Sequence, residues 1–305
     1  MKVEEPGLLT TIQDLGRPHA VASGVPPGGA MDRFAHNAAN LIAGNEMSAA
    51  TLECTVRGPR LTAITECVIA VTGADFAIRI NGHEAPMWSA IALDSGDELA
   101  FGPRRAGARA YIAIAGGVAG DRWLGSLSTY LMVGQGGMGG RPLAAGDVIS
   151  TAVPAESRVQ SGSMPLALRP TYSDHTLRVI GGPHLSRLTS ERRAQLFGSV
   201  FTLAPDSNRM GYRLDGPRLE VAGPELLSFG LVAGSVQLPS GGQPILLMAD
   251  HQTAGGYPVV AVLVSASMPV AAQLLPGDEL RFEEIDLETA LRLRADQRAA
   301  LASIR

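Results

Sequence analysis

The sequence predicts a mainly β protein with a few helices, arranged as two β-barrel halves, and three observations carry that prediction. Between Leu52 and Ala115, short apolar runs (Cys67 to Val71, Phe76 to Ile80, Ile91 to Leu93, Glu98 to Phe101, Ala110 to Ala115) alternate with turn signals such as Asn81-Gly82 and Ser95-Gly96-Asp97. That spacing belongs to a barrel or sandwich. Two phrases recur: GPRL at Gly58 to Leu61 and again at Gly216 to Leu219, and SGDELAF at Ser95 to Phe101 echoed by PGDELRF at Pro276 to Phe282. Echoes at this separation point to two halves of similar plan. The Ser/Pro/Gln/Arg mixture from Thr151 to Arg169 reads as a linker, giving domains 1–160 and 161–305.

In chain order, Leu8 to Arg17 forms a short strand closed by Gly16 and Pro18, with Gln13, Asp14 and Arg17 at its polar end. In the next stretch Phe34, Ala38, Leu41 and Ile42 share one helical face, and Gly44 stands at the expected C-cap. The N-terminus of that helix, with Gly28-Gly29 and Asp32, either receives an anion or is capped by Asp32 itself. Gly116 to Gly140 is glycine-dense and reads as a long functional loop or lid. It contains GQGGMG at Gly134 to Gly139, a formal dinucleotide fingerprint. Pro142 and Gly146 follow where a helix is required, which excludes that reading. The second half restarts with a strand at Thr176 to Ile180 and a helix near Ser190 to Phe197 stopped by Gly198. It closes with an amphipathic helix from about Leu287, capped by Asp286.

A net charge of -4 over 305 residues provides no basic field for nucleic acid or an anionic membrane. Lys2 is the only lysine, so no internal lysine serves for biotinylation, Schiff-base chemistry or a phosphate loop. Cys54 and Cys67 lack CxxC spacing, and the histidines at 19, 36, 83, 175, 184 and 251 contain no HxH or HxxxH pair, so no metal site is expected. GxSxG is absent as well. With no apolar signal region at the start, the expected compartment is the cytoplasm.

Chemistry therefore rests on carboxylates, arginines and backbone N–H groups, and the densest supply is Gln237 to Pro258. A buried strand, Ile245 to Ala249, ends abruptly in Asp250-His251-Gln252-Thr253 and then Gly255-Gly256-Tyr257-Pro258. This is either a polar turn or a pocket floor on which glycines let backbone approach a ligand. Arg209 and Arg213 around Gly211, and the Gln13/Asp14/Arg17 cluster, are the companion sites. Arginine's planar fork suits carboxylate or phosphate recognition, so the expected ligand is a small anionic molecule.

QDLGRP, VPPGGAMD, TLECTVRGP, VTGAD, SNRMGYRLDGP, ADHQTAGGYP and PGDELRF, in this order along nearly the whole chain, resemble the family of allophanate hydrolase subunit 2 and the C-type 5-oxoprolinase subunit. The resemblance implies cyclophilin-like barrels and a partner of the allophanate hydrolase subunit 1 type, the B-type 5-oxoprolinase subunit. It also implies, with a third subunit, ATP-dependent opening of the lactam of 5-oxoproline, Mg²⁺ accompanying the ATP. Carried onto this chain, Asp250, Arg209 and Arg213 are the expected catalytic residues. Asp14, Arg17, Asp32, Gln237, Gln252, Gly255, Gly256 and Tyr257 are the expected substrate-binding ones. Departures from the family pattern fall at Leu127 and Met132, where relatives carry arginines, and at Gly241 and Ala254. Two alternatives stay open: a biotin-dependent carboxyltransferase or allophanate/urea-related hydrolase subunit, with biotin arriving on another protein, and a regulatory module that binds a kinase inhibitor.

Overall fold

The computed structural model describes residues 1–154 and 162–304, so part of the expected linker lies outside the described residues. The chain divides into two compact units. The first comprises Met1–Arg17, Gly28–Tyr172 and the chain from Arg298; the second comprises Pro18–Pro27 and Ser173–Gln297.

The first unit is built from β1 (Lys2–Glu5), β2 (Leu9–Gln13), β3 (Thr51–Thr55), β4 (Arg60–Thr62), β5 (Cys67–Asp75), β6 (Arg79–Ile80), β7 (His83–Glu84), β8 (Ala90–Leu93), β9 (Glu98–Ala100) and β10 (Ala106–Ile114). They form two five-stranded sheets, ordered β1-β4-β9-β6-β7 and β2-β3-β10-β5-β8. Val3, Ile12, Leu52, Leu61, Ile69, Val71, Phe76, Leu99 and Ile112 make one buried cluster from both sheets. Helix α1 (Arg33–Ile42) covers the second sheet, packing Phe34, Ala38 and Ile42 with Ala70, Tyr111 and Ala113. Asn81 and Gly82 take positive φ (51° and 81°) between paired Ile80 and His83, the hairpin turn that their sequence predicts.

In the second unit the barrel closes. Its strands are β11 (Thr176–Gly181), β12 (Phe201–Leu203), β13 (Gly211–Asp215), β15 (Ser235–Gln237), β16 (Ile245–Leu247), β18 (Val259–Leu263) and β19 (Glu279–Glu284), with β14 (Phe229–Gly230) and β17 (Ala254–Gly255) as a separate ribbon. The helices are α2 (Ser190–Gly198), capped by Thr189, α3 (Met268–Ala272) and α4 (Leu287–Ala302). Asp286 accepts from Thr289 N (2.7 Å) at the start of α4, as its sequence leads one to expect. No helix among the described residues is long and apolar enough to cross a membrane.

The GDEL echo is a structural repeat. Asp97 and Asp278 each accept from the backbone N–H three residues earlier (2.8 Å in both), next to a glycine at φ 96° and 91°. Ala144-Ala145-Gly146-Asp147 is a third copy, with the Asp147 carboxylate on Ala144 N at 2.7 Å and Gly146 at φ 89°. Only glycine adopts that φ without strain, and the aspartate closes the turn by side-chain capture of an N–H.

The glycine-dense segment is less lid-like than expected. Ser126, Ser128 and Thr129 are fully or almost fully buried, while exposure is concentrated in two stretches, Gly120 to Gly125 and Leu131 to Gln135. The loop is pinned because its polar groups find partners in the strand end at Asp14, described next.

Candidate functional site

In the first unit, Asp14 follows β2 and lies almost wholly out of solvent. One carboxylate oxygen accepts from Ser126 Oγ (2.6 Å), Ser128 Oγ (2.6 Å) and Gly16 N (2.8 Å); the other accepts from Leu127 N (2.6 Å). Donors on both oxygens fix the orientation of the carboxylate. Arg17 is fully buried, donates to Ser128 O and lies 4.8 Å from the centre of the Trp123 ring. Asp14 and Arg17 therefore clamp the loop at 126–128 and meet the rim of a cavity of ≈ 770 Å³ through Asp14, beside Asn45, Gly116, Gly117, Arg122 and Leu127.

Asp32 resolves the choice at the α1 N-terminus. It is fully buried, accepts from Ala35 N (2.9 Å) and from Tyr172 Oη (2.8 Å), and so caps the helix itself. An anion at this helix end would have to displace that carboxylate. Behind it Tyr111 Oη donates to Glu53 (2.7 Å) and accepts from Asp32 N (2.7 Å); burial, first, and then the Glu53 charge push the Tyr111 hydroxyl pKa well up. Sequence reading missed Glu53, Tyr111, Ser126 and Ser128, because each meets its partner across more than fifty residues of chain and only tertiary pairing reveals it.

In the second unit, β13 and β16 pair with Gly211 opposite Leu247. Two residues before Gly211 and three after Leu247, Arg209 comes beside Asp250, and Asp250 N donates to Arg209 O (2.8 Å). Their side chains close a two-point ion pair, Nε to Oδ2 at 2.8 Å and Nη2 to Oδ1 at 3.2 Å, with side-chain exposure of only 12% and 8%. Arg213 is elsewhere. It alternates outward on β13, is 57% exposed and pairs with Asp206 at 2.8 Å. The two arginines thus face separate carboxylates, one buried pair and one exposed.

Gln237, buried on β15, accepts from Gln252 Nε2 (3.3 Å) and donates to Tyr257 O (3.4 Å). Gly255 lets these amides approach the backbone, since a Cβ there would stand 3.1 Å from Gln252 Nε2. Gly256 is held more tightly, a Cβ falling 2.8 Å from Leu226 O. Gly256, Tyr257 and Pro258 then form one wall of a groove of ≈ 470 Å³, whose other lining residues include Arg187, Glu220, Glu225, Leu226, Leu238 and Pro239. Gln237 is buried with both ends of its amide engaged, whereas Gln252 is exposed and keeps a carbonyl oxygen for a ligand; the groove itself is lined by Gly256, Tyr257 and Pro258 and not by the two amides. No group of three or more His, Cys, Asp or Glu side chains among the described residues could hold a metal ion.

The model of the carboxyltransferase domain, subdomains A and B, matches residues 23–284. The chain belongs to this carboxyltransferase-domain family. Within it, the C-type 5-oxoprolinase subunit of Escherichia coli (strain K12) is 35% identical over 97% of this chain and 95% of that protein. The urea amidolyase of Lachancea kluyveri is 32% identical over 99% of this chain, which spans only 18% of that protein's length. The solved urea carboxylase of Kluyveromyces lactis superposes with a TM-score of 0.92 at 31% identity, covering 98% of this chain and 28% of that one. The family assignment and the mainly β architecture expected from the sequence both stand on these matches.

Proposed function

We propose that this chain is a subunit of a 5-oxoprolinase-like complex, a cytoplasmic ATP-dependent hydrolase that opens a small anionic lactam together with a homologue of allophanate hydrolase subunit 1 and a third subunit. The observation that carries the reading is the near end-to-end likeness to the C-type 5-oxoprolinase subunit. The exposed Gln252, held from behind by Gln237, fits it chemically, because a lactam presents an N–H that the Gln252 carbonyl oxygen can accept.

In this reading Gln252, positioned by buried Gln237, orients the lactam edge and Tyr257 covers it from the groove. Asp250, with both oxygens engaged by Arg209, is a fixed negative charge that orients the attacking group rather than a free base. Phosphorylation of the lactam oxygen, with ATP as co-substrate, makes the ring carbon electrophilic. Water then adds, the C–N bond breaks and phosphate leaves. ATP and its Mg²⁺ are assigned to the partner subunits: Lys2 is the only lysine and the α1 N-terminus is filled by Asp32. The test is reconstitution of all three subunits with 5-oxoproline-dependent ATP turnover as the readout. A complete, folded complex without such turnover overturns the proposal.

A second reading is favoured by the urea carboxylase superposition: transfer of a carboxyl group from carboxybiotin delivered on another protein. Carboxylation of urea on addition of a carboxylated biotin carrier, with no response to 5-oxoproline, would replace the first reading with this one.

A further inference from the structure

The pairing of β15 with β18 slips between Val236 and Gln237, so that Gln237 stands opposite Val259 and one residue of β18 is extra. β11 runs along the other side of β18 only as far as Gly181 opposite Ala261. Past that point Gly182 N and His184 N still donate to Val260 O and Val259 O, at 2.9 and 3.0 Å. The Val259 N–H, in a residue 3% exposed, is left without a carbonyl. It donates instead to the His184 ring, Nδ1 at 3.1 Å. A buried N–H must find an acceptor, and here a side chain completes the ladder.

That bond fixes the state of the ring. Nδ1 can accept only when it carries no proton, so the imidazole is neutral with its proton on Nε2. The ring is also held by Phe229, centroids 5.0 Å apart, and Phe229 pairs across β14–β17 with Gly255. His184 therefore touches both the strand that begins just after Tyr257-Pro258 and the ribbon that carries Gly255. From the far side the same wall is held by Gln237 on Tyr257 O and by Leu238 N on Pro258 O (2.9 Å).

We propose that His184 is a positioning residue of the Gln237–Pro258 site, whose ring, accepting from Val259 N, ties down the Gly256–Pro258 wall. The inference rests on reading that stretch as the ligand site but not on the reaction performed there. Charged and titratable groups on the surrounding elements are Arg187 on the same turn, whose guanidinium donates to Pro224 O (2.7 Å), Glu220 and Glu225 along the groove, Tyr257, and the Arg193–Glu284 pair near Gly181. None of them forms an ion pair with the ring among the described residues.

The experiment uses the full chain labelled with 3-fluorotyrosine, the Tyr257 resonance assigned by Tyr257→Phe, with histidine ¹⁵N spectra and the variants His184→Asn and His184→Ala. Asparagine places Oδ1 where Nδ1 stood and cannot be protonated. Expected are the Nε2–H tautomer, a displaced Tyr257 ¹⁹F resonance in His184→Ala, and its return to the wild-type position in His184→Asn. In the reconstituted complex the KM for 5-oxoproline should rise about tenfold in His184→Ala, with kcat little changed and with rescue by asparagine. A Tyr257 signal indifferent to His184, or an Nδ1–H tautomer, overturns the proposal. A complex without turnover counts against the 5-oxoprolinase reading alone, and the spectra still decide the role of His184.

Discussion

Replacing Asp14 with asparagine removes a single charge and almost no volume, yet the structure assigns it a defined cost. The Asp14 carboxylate accepts from Ser126 Oγ, Ser128 Oγ and Gly16 N on one oxygen and from Leu127 N on the other. An amide can keep one of those faces only. With its oxygen toward the serines, its NH₂ opposes the Leu127 N–H, and a buried donor goes unpaired at a cost of about 1–3 kcal/mol. Because the loss is local to the loop, it should appear first as faster exchange of the Leu127 amide, by about 5- to 150-fold at 1.36 kcal/mol per factor of ten. Asp14→Ala, which removes both faces, should cost about 3–5 kcal/mol in urea denaturation, the upper range for breaking a buried charged network. If Leu127 exchanges at the wild-type rate in Asp14→Asn, and both variants unfold within about 0.5 kcal/mol of wild type, the clamp carries no energetic weight and the reasoning fails.

Other consequences follow the same logic. Arg209→Ala leaves the Asp250 carboxylate buried and without its ion-pair partner, so it should lose about 3–5 kcal/mol in denaturant titration and abolish turnover; adding Asp250→Asn should restore much of the stability and none of the activity. Arg213→Ala breaks only a pair that is more than half exposed on both sides, and should leave stability within about 0.5 kcal/mol. A large loss of turnover in that variant would return Arg213 to the site. Burial holds the His36 imidazole pKa down from 6.5 to about 4, so the neutral ring contributes full stability above pH 6.5 and that contribution is lost as pH falls toward 4. The stability-versus-pH curve should drop by about 3 kcal/mol over that window, and the drop should vanish in His36→Gln. Gly140→Ala places a Cβ 1.9 Å from the Gly134 carbonyl carbon at φ 68°, and should disorder the 134–140 turn, read as proteolytic cleavage there.

Local chemistry was legible in the sequence. The Asn81-Gly82 hairpin, the α1 face of Phe34, Ala38 and Ile42, the Asp286 cap and the GDEL turns each depend on residues within a few positions of one another. For those, φ preferences and hydrophobic periodicity are decisive whatever surrounds them. The third turn, at Ala144 to Asp147, shares only Gly-Asp with the others, so its kinship is visible in its hydrogen bonds and not in its letters.

The candidate site was legible as a set of residue types and illegible as an arrangement. Sequence alone determined the family, the mainly β plan and the density of polar groups after Ile245–Leu247. Tertiary structure decided that Arg209 closes on Asp250 and Arg213 on Asp206, that Asp32 caps its own helix, and that Asp14 grips Ser126 and Ser128 at the rim of a cavity. The reason is physical. A buried charge takes whichever partner the strand register delivers, and a register such as Gly211 opposite Leu247 is set by core packing over the whole barrel, not by the residues that flank the charge.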